Sequence, residues 1–184
     1  MKFAYADPPY IGQARKHYKN ELLCAEVDHK LLIEQLMDNY TDGWALSLSS
    51  PSLQEILPLC PSKIRVMAWV KPFCAFKVNV NPAYAWEPVL VYRGRKRSRE
   101  QVTVRDWVSE NIAMKKGLSG AKPENFCWWI CQVLNVVYGD TLDDLFPGTG
   151  IMGEVFQAYC QESAAVRDRS NVRILRRSVE KGLD

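Results

Sequence analysis

Asp7-Pro8-Pro9-Tyr10 puts a carboxylate, two rigid rings and an aromatic side chain in four consecutive positions. The Asp7 carboxylate and the Pro8 carbonyl both accept hydrogen bonds, the prolines stiffen the backbone that carries them, and Tyr10 offers a flat face. Such a set suits a planar ring bearing an exocyclic amine: two acceptors for the NH2 group and one surface for stacking. A second turn, Asp144-Leu145-Phe146-Pro147-Gly148-Thr149-Gly150, joins an apolar stretch to a helical one. Its glycines let backbone approach a ligand with no β-carbon in the way, and a helix start carries free N–H groups. The third glycine of the dinucleotide fingerprint is missing, so a nicotinamide cofactor fits poorly. Taken singly, each turn also serves as an ordinary exit from a strand.

The elements that must position these turns follow from periodicity. Residues 2–6 form a short strand that the two prolines end. Leu32, Ile33, Leu36, Met37 and Tyr40 fall at helical spacing over residues 28–40, and residues 44–48 make a second strand. Ser50-Pro51 is a helix start, with Ser as cap and Pro in the first turn, and Leu53, Ile56 and Leu57 give that helix its inner face. Residues 63–70 and 87–92 are strands three and four. Pro123 opens a helix with Phe126, Trp129, Ile130, Val133, Leu134 and Val137 on one stripe, which Gly139-Asp140 ends. Residues 142–146 are a fifth strand, 151–161 a helix, and 172–175 a weak further strand. Strands alternating with helices predict an α/β sheet, whose ligand lies beyond the carboxyl ends of the strands.

Composition narrows the class. At 184 residues, 47% hydrophobic and 24% charged, the chain suits one folded domain. No apolar run is long enough to cross a membrane, and the N-terminus does not read as a signal peptide, so a cytoplasmic protein is expected. The six cysteines show no C-x-x-C pair and no histidines close by, which predicts buried, reduced thiols and no metal site. His17 and His29 stand in polar surroundings and are expected at the surface. The net charge of +3 decides little, but Arg93, Arg95, Lys96, Arg97 and Arg99 put five cations into seven residues. That run is either a solvated loop or a phosphate-contacting segment.

Together the two turns resemble the DNA amino-methyltransferases, whose catalytic motif is (D/N/S)-P-P-(Y/F/W) and whose cofactor motif is F-x-G-x-G. The catalytic motif comes first here and the cofactor motif last, as in the β-class permutation. Gly120-Ala121-Lys122-Pro123 is similar to the Lys-Pro element of that branch. Trp69-Val70-Lys71-Pro72 and Trp86-Glu87-Pro88-Val89-Leu90-Val91 resemble the MT-A70 group and related phage and prophage enzymes. The resemblance covers most of the chain from Lys2 to about Tyr159.

The resemblance implies a circularly permuted, Rossmann-like class I methyltransferase fold that uses S-adenosylmethionine to methylate N6 of adenine in DNA. It divides the single domain into a catalytic half (1–92), a target-recognition segment (93–120) holding the basic run, a cofactor half (121–163) and a charged tail (164–184). A target base would be swung out of the duplex. Asp7 and the Pro8 carbonyl would hold its amine, Pro9 would stiffen the loop and Tyr10 would stack on the ring. The cofactor would lie across Ala6, Asp7, Asp144, Phe146, Pro147, Gly148, Thr149 and Gly150, with Lys122, Pro123 and Phe126 near its methionine end. Asp at the first motif position leans towards adenine; N4-cytosine, RNA adenine and a non-catalytic nucleic-acid-binding homologue are the alternatives. Glu87 could hold base or cofactor, or pair with a cation. Tyr84 and Trp86 could line the base pocket, although aromatics more often belong to a core, as Trp129 does on its helical stripe. The setting implied is a bacterial or phage-infected cell, and the partners are DNA and, on some readings, a second copy of the chain.

The match has one gap. Full members of the family have two more strands after the cofactor turn, with an acid on the first that binds the cofactor ribose. Here residues 172–175 leave room for one, followed by Arg176-Arg177 in place of an acid, so a truncated sheet is expected.

Overall fold

A computed structural model describes residues 1–9, 27–74, 78–113 and 121–180, with side chains described up to residue 165. The strands are β1 (Lys2–Ala6), β2 (Gly43–Ser47), β3 (Arg65–Val70), β4 (Trp86–Arg93), β5 (Trp107–Ser109) and β6 (Thr141–Asp144). The helices are α1 (His29–Asn39), α2 (Leu53–Ile56, continued by a 3-10 turn over Leu57–Leu59), α3 (Glu124–Leu134) and α4 (Ile151–Glu180). Among the described residues the six strands form one sheet in the order β5-β3-β4-β2-β1-β6. β1 runs parallel to both β2 and β6, and β5 parallel to β3, whereas β4 runs antiparallel to both of its neighbours.

Alternation along the strands assigns side chains to two cores. Phe3 and Tyr5 of β1 join Ala45, Met67, Trp69, Val89 and Val91 beneath α3 and α4, meeting Phe126, Ile130, Leu134, Met152 and Val155. Ala4 and Ala6, one residue out of phase, join Trp44, Leu46, Leu90 and Tyr92 beneath α1 and α2, meeting Leu32, Ile33, Leu36 and Ile56. A sheet covered on both faces is the arrangement that hydrophobic, strongly buried strands require. The start of β2 and the end of β4 cross closely: a β-carbon on Gly43, at φ +152°, would sit 2.6 Å from Gly94 N.

The parallel strands fix two edges. Ala6, Ser47, Val70, Ser109 and Asp144 end their strands on one edge, where antiparallel β4 begins at Trp86-Glu87. Lys2, Gly43, Arg65 and Thr141 begin theirs on the other, where β4 ends at Arg93. We call these the carboxyl and amino edges.

Several expectations are corrected. Residues 172–175 lie inside α4, not in a strand, because the helix begun at Ile151 continues to Glu180. α3 stops at Leu134, earlier than Gly139, since Asn135 adopts a left-handed conformation (φ 56°) and returns its N–H to the carbonyls of Cys131 and Gln132. β6 ends at Asp144, and Leu145 and Phe146 already belong to the turn. β5 was not foreseen. His29 is buried at the start of α1, where Asp28 caps the helix through the Lys30 and Leu31 N–H groups. Tyr84 and Trp86, expected on balance in the core, are exposed. No described helix is long and apolar enough to cross a membrane.

Candidate active site

β1 and β6 are the neighbouring strands from which the chain leaves in different directions, so their carboxyl ends frame the crevice where α/β sheets bind ligands. Tyr5 pairs with Asp144 in register, which brings the two turns singled out in the sequence side by side. Asp7 is the first residue past β1, and its carboxylate is 3.1 Å from the Lys122 ammonium. Ala6 and Pro8 are buried and Pro9 is half-buried. Tyr10, Cys24, His17 and the segment around them lie outside the described residues, as does Gly120.

Lys122 is buried immediately before α3, held between two carboxylates. Its Nζ reaches Asp7 Oδ1 at 3.1 Å and Glu87 Oε2 at 3.0 Å, and lies 4.9 Å from the centre of the Trp69 ring and 5.7 Å from that of Phe126. Glu87 in turn holds Lys71 Nζ at 2.5 Å, and Lys71 also stands over Trp69. Charges therefore alternate along Lys71, Glu87, Lys122 and Asp7, fixed by β3, β4, the Lys-Pro element and β1. Glu87 thus pairs with lysines, and the Lys122 named in the sequence as a cofactor ligand is also the cation that holds Asp7. Pro123 caps α3 and Phe126 is fully buried below, packed on Tyr5, Trp69 and Trp129. Tyr5 adds a buried hydrogen bond between its hydroxyl and Ser47 Oγ, 2.9 Å. Lys71, Trp69, Tyr5 and Ser47 were not singled out individually as site residues.

These neighbours shift proton affinities. Burial pushes the Asp7 carboxyl above the ordinary carboxylate range; the Lys122 ammonium works against that and the Glu87 charge adds to it. Burial likewise raises Asp144, opposed by the hydrogen bond that its Oδ1 accepts from Phe146 N (3.3 Å) and reinforced by the charge of Asp7. Burial, then the Asp7 charge, hold the Tyr5 hydroxyl protonated far into alkali. Burial takes the Cys127 thiol up to about 12 and raises Cys131 as well, so neither is a nucleophile at neutral pH. Among the described residues no group of His, Cys, Asp and Glu is placed to hold a metal ion.

The second turn has room for a ligand. Gly148 and Gly150 have φ of +50° and +79°, and a β-carbon on Gly150 would meet nothing within 4 Å. Thr149 Oγ1 accepts from Ile151 N (3.4 Å) at the start of α4, while Phe146 is half-buried and Pro147 exposed. With Glu87, the site gathers three carboxylates to two ammonium groups, a surplus of negative charge that favours a cation. This half suits the sulfonium end of S-adenosylmethionine. The ribose side does not match in the same way: α4 runs on through residues 172–175, where a strand followed by Arg176-Arg177, and not by an acid, was expected.

The basic run proves to be divided. β4 is antiparallel, so its last residue, Arg93, lies at the amino edge, six residues and roughly 20 Å along the strand from Glu87. Arg93 donates to the Thr41 carbonyl (2.9 Å) and stacks on Tyr92. Arg95 forms an ion pair with Asp140 at 2.5 Å, which the Met1 amino group also contacts at 2.8 Å. Arg97 donates to the carbonyls of Val102 and Gln132. Lys96 and Arg99 are exposed. Arg93, Arg95 and Arg97 thus each have a partner within the chain, and Arg93 is exposed as well.

No family model and no curated protein sequence matches the chain. Among solved structures it is similar to one described as the crystal structure of the M1.HpyAVI–SAM complex, with a TM-score of 0.54 and 14% sequence identity. The similarity covers 86% of this chain and 78% of that one. The likeness is one of fold, a Rossmann-like α/β sheet.

Proposed function

We propose that the chain transfers a methyl group from S-adenosylmethionine to the N6 amine of adenine in DNA. The observation that carries this reading is the meeting of Asp7-Pro8-Pro9 with the open glycine turn across the β1–β6 junction. The Rossmann-like fold shared with the M1.HpyAVI–SAM complex supports it. When bound, S-adenosylmethionine supplies an electrophilic methyl group on a cationic sulfur. Phe146, Gly148, Thr149 and Gly150 would hold its adenosyl side and Lys122, Pro123 and Phe126 its methionine end. Asp7, ionised, accepts a hydrogen bond from the target amine, as does the Pro8 carbonyl, which turns the nitrogen lone pair out of the ring. Tyr10 stacks on the base. Positioning and charge then supply the acceleration. Lys122 keeps the Asp7 carboxylate ionised and oriented until the amine takes over as its partner. Lys96 and Arg99 remain as phosphate contacts from the basic run.

Labelled methyl transfer to double-stranded DNA, single-stranded DNA and RNA, followed by nucleoside identification by mass, tests the polymer and the base together. N6-methyladenine in DNA is expected; N4-methylcytosine or labelled RNA alone would redirect the assignment. Asp7→Ala should abolish transfer while calorimetry still detects S-adenosylmethionine binding. The ribose side favours one second reading, a nucleic-acid-binding homologue without turnover, and a wild-type chain that binds no S-adenosylmethionine would select it.

A further inference from the structure

Moving a methyl group onto an amine leaves one proton to be removed. The N–C bond forms as the S–C bond breaks, the sulfur keeps the electron pair of the broken bond, and the positive charge passes to the base, whose amine then sheds one N–H proton. Asp7, hydrogen-bonded to that amine, is the nearest acceptor, and burial already raises its affinity for a proton. Its side chain is 22% exposed, and a bound base covers that part, so a filled site closes its direct way to water. The groups around it offer little relief. Burial keeps the Tyr5 hydroxyl and the Cys127 thiol protonated, and Asp144 accepts from Phe146 N within the glycine turn. Lys122 differs, because its Nζ lies 3.1 Å from Asp7 Oδ1 and 3.0 Å from Glu87 Oε2 at once. The Trp69 ring, 4.9 Å from Lys122 Nζ and 5.2 Å from Lys71 Nζ, holds both ammonium groups beside Glu87. The Lys122 side chain is 6% exposed, whereas those of Glu87 and Lys71, at 14% and 13%, reach water.

We infer that Lys122 and Glu87 carry the proton of the reaction away from Asp7 while the methylated base is still bound. The inference rests on the methyltransferase reading and adds to it the route by which Asp7 is restored. Asp7 first takes the amine proton as an O–H bond. Lys122 then passes one ammonium proton to Glu87 and takes the Asp7 proton in its place. Lys122 ends as an ammonium, Asp7 as a carboxylate and Glu87 as a neutral acid, which gives the proton to water. A lysine suits this position because an ammonium that has given up a proton gains the lone pair to accept another. An arginine could hold the same two carboxylates, but it does not release its proton.

The test compares the wild-type chain with Lys122→Arg and Glu87→Gln in a single turnover on DNA. Methyl transfer is timed by rapid quench, product departure by the fluorescence of a labelled oligonucleotide, and proton release by a pH indicator in dilute buffer. Thermal melting shows which variants are folded. In the wild type one proton per methyl group should appear with methyl transfer and ahead of product departure. In both variants that early proton should be lost and should reappear with product departure, however fast or slow the methyl step has become. A merely structural role would slow the methyl step without parting it from the proton. The wild type alone can refute the route: a proton that appears only as product departs overturns the inference and leaves the activity standing. An early proton retained in either folded variant overturns it equally. A wild type that transfers no methyl group to any polymer removes the methyltransferase reading itself, a failure the rapid-quench arm reports on its own.

Discussion

Glu87→Gln removes one charge from the middle of the Lys71–Glu87–Lys122–Asp7 chain at nearly constant volume. At 3.0 Å, and an effective dielectric of about 20, the Glu87–Lys122 attraction alone amounts to roughly 5–6 kcal/mol. Desolvation of the two ions offsets much of that, yet removing one member of such a pair leaves the other charge buried and unmatched. Lys122 keeps Asp7, and the glutamine oxygen keeps one lysine as a donor, so the net cost should be about 2–4 kcal/mol. For a chain of this size that is a fall in Tm of roughly 5–15 °C. The more diagnostic effect is on acidity. Glu87 is one of the charges that raise the Asp7 carboxyl. Its removal lowers Asp7, so the acid limb of kcat/KM, where Asp7 must ionise to accept the amine, should move to lower pH. Lys71→Met should do the reverse, since it leaves the Glu87 charge less compensated and so raises Asp7 further. Both profiles are read by initial rates of methyl transfer against pH. Acid limbs that stay in place, or that move the same way in both variants, would refute the electrostatic coupling even if both variants melt early.

Other expectations follow from the same structure. Arg95→Ala should destabilise by about 2–4 kcal/mol, because Asp140 is nearly buried, while leaving DNA affinity and its salt dependence unchanged. Denaturant melts and salt titrations separate the two outcomes. Burial works to raise the Asp140 carboxyl, but hydrogen bonds from the Met1 amino group, Arg95 and Val137 N outweigh it and hold it low. Its contribution to stability is therefore present above the unfolded carboxylate range and lost as pH falls through the lowered folded value, an acid dependence that melts of Asp140→Asn should lack. Phe126→Ala, which empties the space between Tyr5, Trp69 and Trp129, should cost about 3–5 kcal/mol in a denaturant melt. Cys127 and Cys131 should resist a thiol reagent at pH 8 in the native chain and react only on unfolding, as mass mapping of the labelled sites would show.

What the sequence disclosed was chemistry carried by local pattern. Asp7-Pro8-Pro9 must leave its strand, Gly148-Thr149-Gly150 must turn, and Lys122-Pro123 must precede a helix, whatever the rest of the chain does. What stayed hidden depended on strand direction and on partners distant in sequence. Periodicity marks β4 as a strand but does not say that it runs antiparallel; that reversal is what carries Arg93 to the amino edge and Glu87 to the carboxyl edge. The charge chain exists because β3, β4 and the start of α3 converge, which no spacing announces. β5 is three residues long, too short for alternation to register. At residues 172–175 a weak strand pattern yields to helical continuity, and at Asn135 a left-handed cap does the work that Gly139 was expected to do.

The pairing of Tyr5 with Asp144 joins residues 139 positions apart. The crevice between β1 and β6 therefore depends on a long loop closure, and such closures lose entropy before any contact repays it. During synthesis the strand bearing Asp7 precedes its partner and waits, its carboxyl end incomplete, until β6 has followed. β2, β3 and β4 can pair in the meantime through shorter connections. The candidate site is thus acquired late in folding, and partly folded or nicked chains should keep much of the sheet while lacking it.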